Sequence, residues 1–357
     1  MSTTLRRQAD SVPTTTEAGS TTITVDGLTK AFPVRRTWRD LAAHPFRRAE
    51  LATVVDGVRF EVTGAEFFGL LGANGAGKTT LFRMLSTQLL PDSGSATIGG
   101  YDVVRDPGSV RRLLTPVVAD ERSLNWRLSA RENLELFAEL YGIPKNRVRS
   151  RIDDLLEAVE LQGAGPKMVG TFSSGMKQRL LIARALLPQP RVLLLDEPTR
   201  SLDTVSARRF RHFLRDEIAG RQGCTVLLAT HSAEEAFDLC NRVAVLDRGR
   251  LLAVGRVHDL MGAVRDDRYR LTVRESQYDT ARRILEASGI DVLQRLDEQE
   301  IEGWIVVEAA IGAGPDGVAD AVSRLAHTGI DVAGIEHRPI TLADLLERMV
   351  TLKAESR

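Results

Sequence analysis

The sequence predicts an α/β protein built on a parallel sheet, followed by a small α+β module. Three observations carry this reading. A glycine loop at Gly72–Thr80 sits between a strand pattern and a helix pattern. Short apolar strands alternate with helical segments as far as Leu246. Past about residue 265 the pattern becomes one of alternating strands and amphipathic helices.

The loop reads Gly72-Ala73-Asn74-Gly75-Ala76-Gly77-Lys78-Thr79-Thr80 and fits the phosphate-binding pattern G-x-x-x-x-G-K-[ST]. Phe67–Leu71 before it reads as a short buried strand, and Leu81, Met84 and Leu85 after it recur at helical spacing. Glycines let backbone N–H groups close around phosphate oxygens without a Cβ in the way. The following helix adds unpaired N–H groups and the positive end of its dipole. Lys78 supplies a point charge to terminal phosphates, and the Thr79 hydroxyl can ligate Mg²⁺. A flexible loop that happens to contain lysine would need neither the strand nor the helix.

The remaining elements follow in chain order. Residues 1–20 are rich in Ser and Thr, lack the apolar core of a secretory signal, and read as a disordered tail. Residues 22–32 form a first strand and turn. Residues 33–50 form a basic insertion carrying Trp38, Leu41 and Phe46. An arginine-rich element touching lipid headgroups fits it, and so does a solvated surface hairpin. Strand signals return at 52–63. Residues 130–165 read as helical, with Leu134, Phe137, Leu140 and Tyr141 on one face. Buried strands follow at Val192–Leu195, Val226–Ala229 and Val243–Leu246. In the last third, Tyr269–Val273, Val292–Leu296, Trp304–Glu308 and Val332–Glu336 read as strands. Tyr278–Ala287, Val318–Ala326 and Leu342–Met349 read as helices, a βαββαβ order of ferredoxin-like type.

Composition sets the outer limits. A chain of 357 residues suggests two or three domains. Lys+Arg and Asp+Glu both number 48, so no global charge marks a nucleic-acid binder. Cys224 and Cys240 are the only cysteines and lack metal-ligand spacing; two buried free thiols are expected, which suits a reducing cytosol. No apolar stretch approaches the roughly 20 residues of a membrane helix, so spanning helices would come from another chain.

Two further segments bear chemistry. Val192–Leu195 runs into Asp196-Glu197-Pro198, an apolar strand ending in two carboxylates. After a phosphate loop, Asp196 is the expected Mg²⁺ holder and Glu197 the group that polarises water. Alone, the pair would be an acidic turn before proline. Phe172-Ser173-Ser174-Gly175-Met176 precedes a helix that Ser173 can cap, and such a helix start can also bind an anion. His231 ends a buried strand, where ligand contacts fall in open α/β sheets. His44, His212, His258, His327 and His337 have no partner pattern and are expected at the surface.

Over about residues 22–260 the chain resembles the ATP-binding cassette (ABC) ATPases. Gly72–Thr80 is similar to the Walker A loop of that family. Phe172–Met176 resembles its signature segment, departing at Phe172, Ser174 and Met176 and keeping Ser173 and Gly175. Asp196 and Glu197 match its Walker B aspartate and catalytic glutamate, Ser201-Leu202-Asp203 its D-loop, and His231 its switch histidine. Phe32 falls where the family stacks an aromatic on adenine. One position departs: Asp120 stands where the family has a glutamine that senses Mg²⁺. A carboxylate can also face that ion. Glu121 is a second choice, and an exposed acidic turn is the plain alternative.

The resemblance implies an ATPase using ATP and Mg²⁺. Its nucleotide would touch Phe32 and Gly72 through Thr80, its metal Thr79, Asp196 and Asp120, and its catalytic residues would be Glu197, His231 and Lys78. It implies a homodimer, or a pair of cassettes, in which Ser173, Ser174 and Gly175 of one copy close over the nucleotide of the other, with Asp203 in the D-loop. The partner would be a separate multi-span permease docked near residues 120–170, and the resemblance is to subunits serving export of drugs, antibiotics or lipid-linked glycans. The location would be cytoplasmic, on the inner face of the membrane. The expected limits are a P-loop ABC domain over 21–262 with a helical subdomain at about 120–180, then an accessory domain over 265–357 that regulates or strengthens dimerisation. The competing function, a soluble ABC ATPase on ribosomes or nucleic acid, usually has two cassettes or a long coiled coil, and neither pattern is present.

Overall fold

In the computed structural model the described residues are 21–34, 50–118, 123–200, 202–221, 223–263, 268–296, 302–311, 314–338, 341–346 and 349. The tail, most of the basic insertion, Asp120, Glu121 and Ser201 lie outside them. The chain divides into two compact units, with the boundary between Val257 and His258.

The first unit opens with β1 (Thr21–Pro33) and β2 (Leu51–Thr63), an antiparallel pair. Then comes β3 (Phe67–Leu71), the glycine loop and α1 (Lys78–Leu85). β4 (Ser93–Ile98) and β5 (Tyr101–Asp102) return to the first pair, giving an antiparallel sheet of order β2-β1-β4-β5. α2 (Pro107–Leu113) leads to β6 (Leu114–Val118). Two helices follow, α3 (Ala130–Leu140) and α4 (Lys145–Ala158). The sequence read this stretch as one helical run. Gly142, at φ +70°, and Pro144 at the start of α4 divide it.

α3 also corrects the expected face. Leu134 and Ala138 are buried, while Leu140 and Tyr141 are exposed along with Leu136. Ser129 and Glu132 close a reciprocal cap at the helix start, and the buried Asn133 holds the preceding loop through the carbonyls of Asn125 and Ser129. That anchoring turns Asn133 inward and leaves the Leu140 side of the helix in solvent.

α5 (Ser174–Leu186) then feeds β7 (Val192–Asp196), α6 (Thr204–Phe213) and β8 (Thr225–Thr230). α7 (Ala233–Leu239), β9 (Arg242–Asp247) and β10 (Arg250–Arg256) complete the run, and α8 (Val257–Ala263) begins at the boundary and belongs to the second unit but for its first residue. The second sheet has the order β10-β9-β3-β8-β7-β6. It is parallel except for the β9–β10 hairpin. Every residue of β3 and β8 is buried, as expected for central parallel strands covered on both faces.

The expected buried thiols are both found. Burial pushes the Cys224 thiol up to about 12 and raises that of Cys240 well above its usual value. Neither forms thiolate readily, so the folded protein is expected to resist alkylation at about pH 8 and to label fully once denatured. Rapid labelling of the folded chain would contradict this.

The second unit runs β11 (Arg268–Arg274), α9 (Tyr278–Ala287), β12 (Asp291–Leu296), β13 (Trp304–Ala310), α10 (Gly314–His327) and β14 (Val332–His337). Its antiparallel sheet has the order β12-β13-β11-β14. With its four strands counted in order, that is 2-3-1-4, the ferredoxin-like arrangement expected from the sequence. Leu271, Val273, Ile305 and Val307 of the sheet pack with Leu285 of α9 and Leu325 of α10.

Candidate functional site

Three neighbouring parallel strands deliver the site. β3, β8 and β7 lie side by side, with Leu71 opposite Thr230 and Asp196 opposite Ala229. The glycine loop leaves the end of β3, Asp196 and Glu197 end β7, and His231 follows β8. Their carboxyl ends therefore share one edge of the sheet, where open α/β sheets hold their ligands.

The loop's glycines are required sterically. Gly77 sits at φ +102°, and a Cβ there would lie 2.6 Å from the Val54 carbonyl oxygen. A Cβ on Gly72 would lie 2.4 Å from the Leu246 carbonyl oxygen. Gly77→Ala is expected to lower the melting temperature by a few degrees and weaken ATP binding by at least about tenfold, since the loop must leave its left-handed turn. Thermal unfolding and nucleotide titration check this.

Lys78 is buried, and its Nζ donates to the carbonyls of Gly72 at 2.6 Å and Ala73 at 3.1 Å. Burial lowers its pKa, while Glu197 and Asp196 raise it. Thr79 Oγ1 donates to Asp196 Oδ2 at 3.0 Å. Burial raises the Asp196 carboxyl, and the Thr79 hydrogen bond opposes that shift. Glu197 lies among His231, Lys78 and Arg200. Its Oε1 is 3.1 Å from His231 Nδ1 and 3.9 Å from Lys78 Nζ, and its Oε2 is 3.6 Å from an Arg200 guanidinium nitrogen. A carboxylate only accepts, so His231 Nδ1–H is the donor in that pair.

The open cleft between these groups is lined by Val54, Asn74, Gly75, Gly77, Lys78, Thr79, Thr80, Asp196, Glu197 and Arg200. Val54 and Arg200 belong to no motif. Arg200 arrives through the turn after Pro198, and Val54 through β2, which no local spacing connects to the loop.

Other motif residues stand elsewhere. Phe32 is on β1, opposite Ala52, with its ring partly exposed and Lys30 Nζ 5.7 Å from the ring centroid. Ser173 and Ser174 are exposed at the start of α5, where the Ser173 hydroxyl accepts from Met176 N at 3.3 Å, and Gly175 follows in its first turn. Asp203 caps α6 by accepting from Ser206 N at 3.0 Å, and the Ser206 hydroxyl, followed by that backbone N–H, lowers its pKa. None of these lines the cleft.

The oxygens fit a magnesium ion. Thr79 and Asp196 present a hydroxyl and a desolvated carboxylate at one point of the cleft. Glu197 Oε2 is buried without a hydrogen-bond partner among the described residues. Among those residues no group of three His, Cys, Asp or Glu side chains could hold a metal. A hard cation that takes few protein oxygens and completes its shell with phosphates and water suits that donor set.

Comparison with known proteins decides the family. The profile of the ABC transporter family matches residues 55–200. The daunorubicin resistance ATP-binding protein DrrA3 of Streptomyces coeruleorubidus is 38% identical over 273 residues, 76% of this chain and 80% of that protein. The chain belongs to the ABC transporter ATP-binding proteins. The doxorubicin resistance ATP-binding protein DrrA of Mycobacterium tuberculosis is 41% identical over 231 residues, 60% of this chain and 68% of the relative. In fold, cbiO1 from Clostridium perfringens, part of the ABC transporter complex cbiONQ, superposes with TM-score 0.58 at 23% identity, over 76% of this chain and 96% of that one.

This ABC protein is thus an ATP-binding, ATP-hydrolysing subunit of a transporter that uses Mg²⁺, and the soluble ribosomal or nucleic-acid reading is not favoured. No described helix is long and apolar enough to cross a membrane.

Proposed function

We propose that this subunit powers the export of an amphiphilic, drug-like compound through a separate permease at the cytoplasmic face of the membrane. The observation that carries the catalytic part is the meeting of Lys78, Thr79, Asp196, Glu197 and His231 at one edge of three adjacent strands. The relatives named for daunorubicin and doxorubicin resistance support export and the substrate class.

Gly72–Thr80 cradles the triphosphate with backbone N–H groups, and Lys78 leaves the loop carbonyls to meet the terminal phosphates. Thr79 and Asp196 would hold Mg²⁺, and Asp120 would share that role. That ion supplies positive charge to the phosphate oxygens. Glu197 orients the attacking water by accepting its hydrogen bond, and His231 steadies Glu197 and the product side. Phe32 stacks on the base.

The chain carries one phosphate loop and one signature segment, and neither Ser173 nor Gly175 lines the cleft of its own copy. Two copies packed head to tail bring Ser173, Ser174 and Gly175 of one over the nucleotide of the other, with Asp203 at the junction. ATP then joins surfaces that hydrolysis lets part. The exposed Trp126, Leu140, Tyr141 and Met168 support docking of the permease on the helical subdomain.

Co-expression with a permease of about six apolar spans tests the partner. The subunit is expected to co-purify with it from membranes. Complete recovery in the soluble fraction would contradict the proposal.

A further inference from the structure

Glu235 belongs to no motif above, yet it is only 2% exposed and sits where three segments of the site converge. Its Oε1 accepts from Thr199 Oγ1 at 2.7 Å, and Thr230 lines the same recess beside it. Thr199 lies two residues after Glu197, and Thr230 immediately precedes His231. Thr230 Oγ1 is held in turn by the Ser232 N–H at 3.0 Å. Together with Glu197, Thr199, Arg200, Thr230, His231 and Ser232, Glu235 lines a recess beside the nucleotide cleft.

Packing alone does not account for a carboxylate here. Burying a charge-bearing group is unfavourable unless its acceptors are used, and an apolar side chain of similar size would fill the space at lower cost. Burial does raise the Glu235 pKa, against the pull of the two threonine hydroxyls, Arg211 and His231.

The backbone beside it gives the carboxylate a task. Glu197 sits at φ +48°, in the left-handed region that a non-glycine residue rarely adopts. Such a conformation persists only where its surroundings fix it. On one side the Glu197 N–H donates to the Ala229 carbonyl at 2.9 Å. On the other, Thr199 is tied to Glu235.

We propose that Glu235 is a positioning residue for hydrolysis: fixed in the first turn of α7 just after β8, it holds Thr199, and with it the strained turn at Glu197, in register with the end of β8, so that the Glu197 carboxylate meets His231. Glu235 touches no nucleotide. Its loss displaces the water-orienting carboxylate and leaves the phosphate loop intact. The inference rests on the catalytic reading of Glu197 given above.

Full-length wild-type protein, Glu235→Ala, Glu235→Gln, Thr199→Val and Glu197→Gln are compared in Mg-ATP turnover, with ATP affinity measured separately by titration. Glu235→Ala is expected to lower kcat by at least about tenfold with KM and Kd changed by less than about threefold, since small misplacements of a catalytic group are costly. Glu235→Gln keeps the shape and one acceptor and is expected to recover about a third or more of the wild-type kcat. Thr199→Val is expected to lower kcat by several-fold, again without a change in KM.

Turnover of Glu235→Ala within about twofold of wild type overturns the proposal, as does a parallel loss of kcat and affinity, the mark of general structural damage. If Glu235→Ala does not fold, Thr199→Val decides by the same criteria. Inactive Glu197→Gln beside active Glu235→Ala and Thr199→Val overturns the positioning role alone. An active Glu197→Gln overturns the catalytic reading beneath it.

Discussion

Glu197→Gln is expected to lower steady-state ATP hydrolysis by about 10²- to 10³-fold, the range usual for loss of a general base, while ATP binding is retained. The geometry explains both halves. Glu197 Oε1 lies 3.1 Å from His231 and 3.9 Å from Lys78, so its carboxylate faces the end of the cleft where Lys78 would meet the terminal phosphates. Glutamine keeps the size of the side chain and one acceptor oxygen but no longer draws a proton from water. It also removes a negative charge beside the γ-phosphate, which favours retention of intact ATP. Phosphate release measured at saturating ATP, with nucleotide titration alongside, checks both parts. Turnover above about half of wild type would contradict the role of Glu197.

Lys78→Ala is expected to act on the other half of the cycle, weakening ATP binding by about thirtyfold or more. Truncating one partner of a buried charge pair usually costs about 2 kcal/mol at least, and about 1.4 kcal/mol is tenfold in affinity. Lys78 is the one cationic group of the phosphate loop, and its ammonium is held by two loop carbonyls. Alanine removes the charge that the phosphates would meet and leaves the Gly72 and Ala73 carbonyls without their donor. Titration calorimetry measures the loss, and circular dichroism checks that the fold is kept. An unchanged affinity would remove the lysine from the binding account.

The site was legible in the sequence to the extent that its residues close apolar strands. Lys78, Asp196, Glu197 and His231 each follow a run such as Phe67–Leu71 or Val226–Ala229, and local spacing marks such runs. The C-terminal module was legible for a similar reason, because its strands and helices alternate cleanly between apolar and polar positions.

What escaped depends on distant pairing. The antiparallel sheet of β2, β1, β4 and β5 joins strands far apart in the chain, and with it comes Val54 at the cleft. Arg200 reaches the site through a turn that no periodicity announces. The outward side of α3, with Leu140 exposed, is set by Asn133 turning inward to satisfy loop carbonyls, which an apolar count does not register.

Glu235 was hidden in a different way. Ser232-Ala233-Glu234-Glu235 has the spacing of a reciprocal helix cap. The Ser232 hydroxyl does accept from the Glu235 N–H, at 3.2 Å. Yet the Ser232 N–H turns to Thr230, and the Glu235 carboxylate turns to Thr199. Half of the cap is formed, and the other half is spent on the site.

The central claim is that two copies of this chain enclose two ATP molecules between their phosphate loops and signature segments. Light scattering of Glu197→Gln with Mg-ATP, combined with quantification of the nucleotide retained, tests it most directly. The expected result is a dimer holding one uncleaved ATP per chain, which dissolves when Lys78→Ala is introduced in the same background. A monomer at saturating ATP, or a dimer that forms equally without nucleotide, would contradict the claim.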